Sequence, residues 1–183
     1  GMDEGQWAFD EFAADSEGGK GGMLWQKCPP AVDGNEKGDE FRWGAVKAPV
    51  EKTKDYLACK WAADQLQRDF EGKPFFLALG ISKPHLPWEV PQQFFDLYPL
   101  DKLKAVDIVR DDLNDIVDKK GKELFRPDPR FEAADKANLH LEAQQAYLAN
   151  ISYVDYCLGP LFEALAKSKY ADNTIIMLWG DHG

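Results

Sequence analysis

Two short, unbroken apolar runs stand out against an otherwise mixed chain. Pro74-Phe75-Phe76-Leu77-Ala78-Leu79-Gly80 and Thr174-Ile175-Ile176-Met177-Leu178-Trp179-Gly180 both lack the alternation of a half-exposed strand. They predict strands over Phe75 to Leu79 and Thr174 to Trp179, covered on both faces as in a parallel sheet. Elsewhere the period is helical. Tyr56, Leu57, Trp61 and Leu66 mark a helix from about Thr53 to Phe70, with Lys52, Lys54, Asp64, Gln67 and Arg68 facing water and Gly72 as its C-cap. Tyr147, Ile151, Val154, Leu158, Leu161, Phe162 and Leu165 form the stripe of a long helix from about Leu139 to Lys167, which Gly159-Pro160 bends or divides. Pro91 to Tyr98 reads as a short helix with proline in its first turn. Ala171-Asp172-Asn173 is the turn into the last strand, while residues 99 to 137 are mixed and polar, with room for short helices. Helix, strand, loop, long helix and strand together predict an alternating α/β architecture.

Residues 1 to 50 carry no sustained period. Gly18-Gly19-Lys20-Gly21-Gly22 is a flexible stretch, yet Trp7, Phe9, Phe12, Trp25, Phe41 and Trp43 are too many large apolar groups for a pure linker. This segment reads as irregular chain laid over a surface, with at most one short edge strand. Residues 51 to 183 are the α/β portion. At 183 residues, with 44% hydrophobic and 30% charged side chains, the chain can bury one substantial core. No apolar run reaches membrane-spanning length, and Gly1-Met2-Asp3-Glu4 does not open a signal peptide.

Charge narrows the partners. With 32 acidic against 22 basic residues, the formal charge is -10, and no Lys/Arg block tracks a nucleic-acid backbone. A small anionic substrate remains compatible, because local charge can oppose the global balance. Cys28, Cys59 and Cys157 are an odd, widely spaced set without a zinc or redox spacing.

Candidate chemistry gathers just past the two apolar runs, where open α/β sheets hold their sites. Lys83-Pro84-His85-Leu86-Pro87 follows the first. Pro84 pushes Lys83 toward extended geometry, and residues two apart on an extended segment share a face. Lys83 then offers a compact positive charge to a sulfuryl or phosphoryl group, and His85 a proton for a departing oxygen. The plainer alternative is a proline-rich turn with the lysine in water. Asp181-His182 follows the second run, between Gly180 and Gly183. A carboxylate oxygen and an imidazole nitrogen are metal-competent donors, and the flanking glycines let them converge; the plainer alternative is a polar turn. His140 reads as a surface or capping group, Asp111-Asp112 as a solvated charge run, and Tyr153 and Asp155 as helix packing and solubility. Cys28 lacks a neighbouring base.

These stretches resemble the sulfatase family, in its iduronate-2-sulfatase-like and choline-sulfatase-like branches. The resemblance rests on Lys73 to Gly80, Lys83-Pro84-His85-Leu86-Pro87, Phe94 to Pro99, Tyr147 to Asp155 with Gly159, and Ala171 to Ile176 leading to Asp181-His182-Gly183. It covers most of residues 51 to 183. It implies a large α/β sheet of the alkaline-phosphatase-like type with flanking helices, of which this chain is a middle piece of the catalytic domain. It implies that Lys83 contacts the sulfate, that His85 stands near the ester oxygen as anion binder or general acid, and that Asp181 and His182 ligate a divalent metal, Ca²⁺ before Mg²⁺. Sulfatases attack sulfur with a hydrated formylglycine made from Cys or Ser. The Cys/Ser-x-Pro-x-Arg motif that carries it is absent here: Cys28-Pro29-Pro30-Ala31-Val32 has valine where arginine belongs. The family's upstream acidic pair, its other Lys/His pair and a later lysine are also missing. The expectation is a parent enzyme that cleaves a sulfate ester, preferably of a sugar, outside the cytosol or in a lysosome-like compartment, with these residues alone inactive. The alternatives are a phosphomonoester or phosphonate hydrolase and a non-catalytic binding fragment.

Overall fold

The computed structural model describes residues 41–180. The readings placed on residues 1 to 40, on Cys28 and on Asp181 and His182 therefore lie outside the described residues. Within them the elements are β1 (Trp43–Val46), α1 (Lys54–Gln65), β2 (Trp88–Pro91), α2 (Gln92–Phe95), α3 (Pro129–Lys136) and α4 (His140–Lys167). The arrangement is α/β: a small open sheet with helices around it. The chain divides into two units, one of Val50–Ser82 with the stretch from Val154 on, the other of Lys83–Tyr153 with the stretch up to Pro49.

In the second unit β1 pairs in parallel with β2, Trp43 opposite Trp88 and Val46 opposite Pro91. β1 is the short strand allowed for near the end of the irregular segment. β2 was not expected, because Pro87 and Pro91 masked it; proline is tolerated at strand ends, where no ladder donor is needed. Val46, Val90, Phe94 and Phe95 are buried beside this ladder. Glu89 is buried with them, and its carboxylate accepts a bond from Arg42 Nε at 3.0 Å. Tyr98 is latched to α4, its hydroxyl 2.6 Å from Ser152 Oγ and its carbonyl 2.7 Å from Gln145 Nε2.

α3 lies in the stretch left as mixed. Asp128 caps it by accepting the Arg130 N–H at 2.8 Å, with Pro129 in its first turn. Asn138 ends it with φ of +55°, a conformation asparagine tolerates better than most residues. α4 then runs undivided through Pro160, so of the bend or division expected at Gly159-Pro160 the division does not occur.

In the first unit α1 spans nearly the predicted range but ends before Gly72, which occupies a later turn at φ +76° rather than a helix C-cap. Tyr170 is its hub. The ring meets Phe75 at 5.0 Å and Phe70 at 5.6 Å, while its hydroxyl accepts the Phe70 N–H and donates to the Arg68 carbonyl. Tyr56 of α1 meets Tyr156 of α4 at 6.3 Å.

The expectation for the two apolar runs needs correction. Neither enters a ladder. Phe75, Leu77 and Leu79 are half-buried while Phe76 and Ala78 are exposed, so one face is covered and not two. Ile175, Leu178 and Trp179 are 90%, 81% and 76% exposed. A run without alternation reports residues suited to a two-sided interior; it does not supply the neighbours that make one. The helix stripes also shift. α1 buries Asp55, Cys59, Ala62 and Ala63, and Leu57 is exposed. α4 buries Ala146, Ala149, Asn150, Tyr153 and Cys157, leaving Tyr147, Ile151 and Phe162 exposed.

Two predictions follow from specific groups. Burial, with the Asp55 carboxylate second, pushes the Cys59 thiol up to about 11. At pH near 8 it should stay unalkylated by iodoacetamide in the native chain and react once urea unfolds it, as peptide mass spectrometry would show. Asp135 accepts two bonds from Arg110, at 2.6 and 2.9 Å, and one from His140 Nε2 at 2.9 Å. These partners, Arg110 first, hold its carboxyl well below the ordinary range. A depressed pKa stabilises the fold above the unfolded value and loses that contribution as pH falls. Asp135→Asn should therefore lower the melting midpoint at pH near 7, with the difference shrinking below pH of about 4.

Candidate active site

The loop from Lys83 to Pro87 connects the first apolar run to β2. Proline lacks an N–H, so Pro84 and Pro87 withdraw two backbone donors from it. Side chains take over. Lys83 is half-buried, and its Nζ donates to the Pro87 carbonyl within the loop. Trp88 Nε1 donates to the Pro84 carbonyl at 2.8 Å. The peptide bonds before both prolines are cis.

His85 sits at the exposed crest of this loop. Its Nδ1 lies 2.5 Å from the Leu86 carbonyl. A carbonyl can only accept, so that contact puts a proton on Nδ1 and makes Nε2 the atom available for chemistry. Neutral, Nε2 is a base or ligand; protonated, it donates to an oxygen. The ammonium of Lys83 carries three donors, and an anion would draw on donors the loop now uses internally. The two residues lie on one short loop, Lys83 half-buried and His85 exposed. Asp181 and His182, the other half of the predicted set, lie outside the described residues. Among the described residues no group of three or more His, Cys, Asp or Glu side chains is placed to hold a metal ion. No described helix is long and apolar enough to cross a membrane.

Two contributors escaped the sequence reading. Asp55, in the first turn of α1, is buried and accepts the Ser82 N–H at 3.0 Å, which holds the residue just before Lys83. Nothing local marks this acid, since its partner is 27 residues away. Trp88, which donates to the Pro84 carbonyl, has no mark in the sequence either. His140, by contrast, is a half-buried partner of Asp135 beside the Phe131 ring and takes no part in the loop. Asp55→Ala should destabilise the chain by about 2 kcal/mol, the size of a buried bond to a charged acceptor. It should also speed hydrogen exchange at Ser82 selectively.

Comparison with known proteins identifies the family. The sequence pattern of the sulfatase family matches residues 5–183. A sulfatase of Formosa agariphila is 43% identical over 77% of this chain and 28% of its own length. Human iduronate 2-sulfatase is 32% identical over 60% of this chain and 22% of its own, and a choline-sulfatase of Rhizobium meliloti 26% identical over 63% and 22%. The chain thus spans less than a third of the length of these relatives. A family match over nearly all its residues, with the Lys83–Pro87 loop built as a side-chain-held unit after an apolar segment, places this chain in the sulfatase family of the alkaline-phosphatase-like superfamily.

Proposed function

We propose that this chain is the middle portion of the catalytic domain of a sulfuric-ester hydrolase, residues 51 to 183 carrying its anion-binding loop and residues 1 to 50 packing on it. The observation that supports it most is the Lys83–Pro87 loop, with an ammonium and an imidazole held on one turn inside a family-wide match. Lys83 binds a sulfuryl oxygen and spreads its charge. His85, through Nε2, gives a proton to the ester oxygen as the bond to sulfur breaks, so that the alcohol leaves neutral. A sugar sulfate is the preferred ester, in keeping with the iduronate 2-sulfatase among the relatives.

A divalent cation, Ca²⁺ before Mg²⁺, belongs to the same proposal. Asp181 would give it a hard carboxylate oxygen and His182 an imidazole nitrogen. Two donors fall short of the six to eight that calcium takes, so further ligands must come from elsewhere in the polypeptide. When bound, such an ion offsets the negative charge of the sulfate group. The nucleophile, a formylglycine derived from Cys or Ser, likewise belongs to sequence outside these residues, and the isolated 183-residue chain should not turn over an ester. Action outside the cytosol or in a lysosome-like compartment is supported by the family resemblance alone.

The test is sulfate release by the full-length protein containing this chain, from aryl and sugar sulfate esters, beside phosphate release from the matching phosphomonoesters. Sulfate release should dominate. Lys83→Ala should lower kcat/KM by about 10² or more, the scale of losing one donor to a charged transition state. His85→Ala should cost about 10² to 10⁴ and remove one limb of the pH profile. Preference for the phosphomonoester would favour a phosphatase instead, and full activity in both variants would remove the loop from the site.

A further inference from the structure

We propose that Trp88 is the positioning residue of the anion-binding loop: its indole N–H fixes the Pro84 carbonyl, and so the backbone between Lys83 and His85, whether or not the Lys83 ammonium is engaged by an anion. The inference rests on the reading of Lys83 and His85 as site residues. Its geometric basis is independent of that reading.

The ring itself is held firmly. Trp88 opens β2, where its N–H donates to the Arg42 carbonyl at 2.9 Å and its partner across the ladder is Trp43. Three aromatic rings surround it: Tyr147 at 5.5 Å, Phe41 at 6.2 Å and Trp43 at 6.4 Å. Phe41 and Trp43 in turn pack edge-on at 5.3 Å. A half-buried indole has one donor and needs one acceptor. Here that acceptor is Pro84 O, at 2.8 Å.

Two of the side-chain staples on the loop, among the described residues, differ in kind. Lys83 to the Pro87 carbonyl is internal, and it uses the group that binds substrate. An anion that takes the ammonium weakens that staple at the moment the loop must be most exact. The Trp88 staple runs from the sheet to Pro84, between the two reacting side chains, and involves no group that changes on binding. Placement errors of about 1 Å at a reacting centre can cost about 10²-fold in rate, so a staple that survives binding has kinetic value even where its contribution to stability is small.

The test uses the full-length enzyme with a fluorogenic aryl sulfate as substrate and inorganic sulfate as competitive inhibitor. Trp88→Phe keeps a ring among Phe41, Trp43 and Tyr147 but removes the donor. Replacement of Trp88 by benzothienylalanine keeps the indole shape and removes only the N–H, which covers the case in which the phenylalanine variant fails to fold. Expected for both are a melting midpoint within a few degrees of wild type, kcat about tenfold lower, a several-fold higher inhibition constant for sulfate and faster hydrogen exchange at His85 and Leu86. Wild-type kcat and sulfate inhibition in the benzothienylalanine enzyme, alongside weakened inhibition in Lys83→Ala, would overturn the positioning role and leave the site reading standing. Unchanged sulfate inhibition in Lys83→Ala would overturn the site reading, and the catalytic meaning of Trp88 with it. Loss of activity with a matching collapse of the melting midpoint in both Trp88 variants would reduce Trp88 to core packing.

Discussion

The register of β1 against β2 is the constraint on which the candidate loop depends. Four residue pairs in parallel set Trp43 opposite Trp88 and Gly44 opposite Glu89. Side chains alternate along a strand, so a slip of one position would exchange the faces of Trp88 and Glu89. The indole would then leave the Pro84 carbonyl, and the carboxylate would leave Arg42. A four-residue ladder is weak by itself. Burial of Val46, Val90, Phe94 and Phe95 next to it, and a charge pair that only one register satisfies, supply the specificity. The Glu89 carboxylate is desolvated, and a buried acid is expensive without its cation. Its value here lies in penalising the wrong register.

The sequence revealed element order better than it revealed which faces are inside. Both long helices were legible because their periods are sustained. Their buried stripes were legible only in part: Leu66 is buried as read, but the reading otherwise followed large apolar residues. α1 instead buries Cys59, Ala62 and Ala63, and α4 buries Ala146, Ala149 and Cys157. Small side chains let backbones approach closely, while large ones such as Tyr147 can sit at the border and cover neighbours with one edge. Tyr147 does this: it is 39% exposed yet packs against Trp88. The two apolar runs show the complementary failure. Composition reports what a segment is suited to, and Phe75 to Leu79 and Thr174 to Trp179 are suited to an interior that the described residues build only on one side or not at all.

The candidate site was legible where its pattern is local: Lys83 and His85 flank Pro84 on one short loop. Asp55 and Trp88 act through backbone atoms, and a backbone carbonyl or N–H has no sequence signature. For Trp88 the partner is only four residues away, yet nothing distinguishes an indole that packs from one that also holds a turn. For Asp55 the partner lies 27 residues away. Supporting groups of this kind become visible only when each buried donor and acceptor is traced to its partner.

The acidity of the chain does not oppose the proposed binding of an anion. Screening confines the field of exposed carboxylates to about 8 Å at physiological salt, so the formal charge of -10 repels an approaching sulfate weakly, and the last few ångströms are decided locally. There the Lys83 ammonium donates to the Pro87 carbonyl among its partners. Exchanging that bond for one to a sulfate oxygen is favourable on the proposed reading, because a contact between two charged groups is the stronger interaction. The carbonyl then keeps the Glu89 N–H, which already donates to it at 2.9 Å. On the proposed reading, that second donor keeps the Pro87 carbonyl satisfied when the cation changes partners.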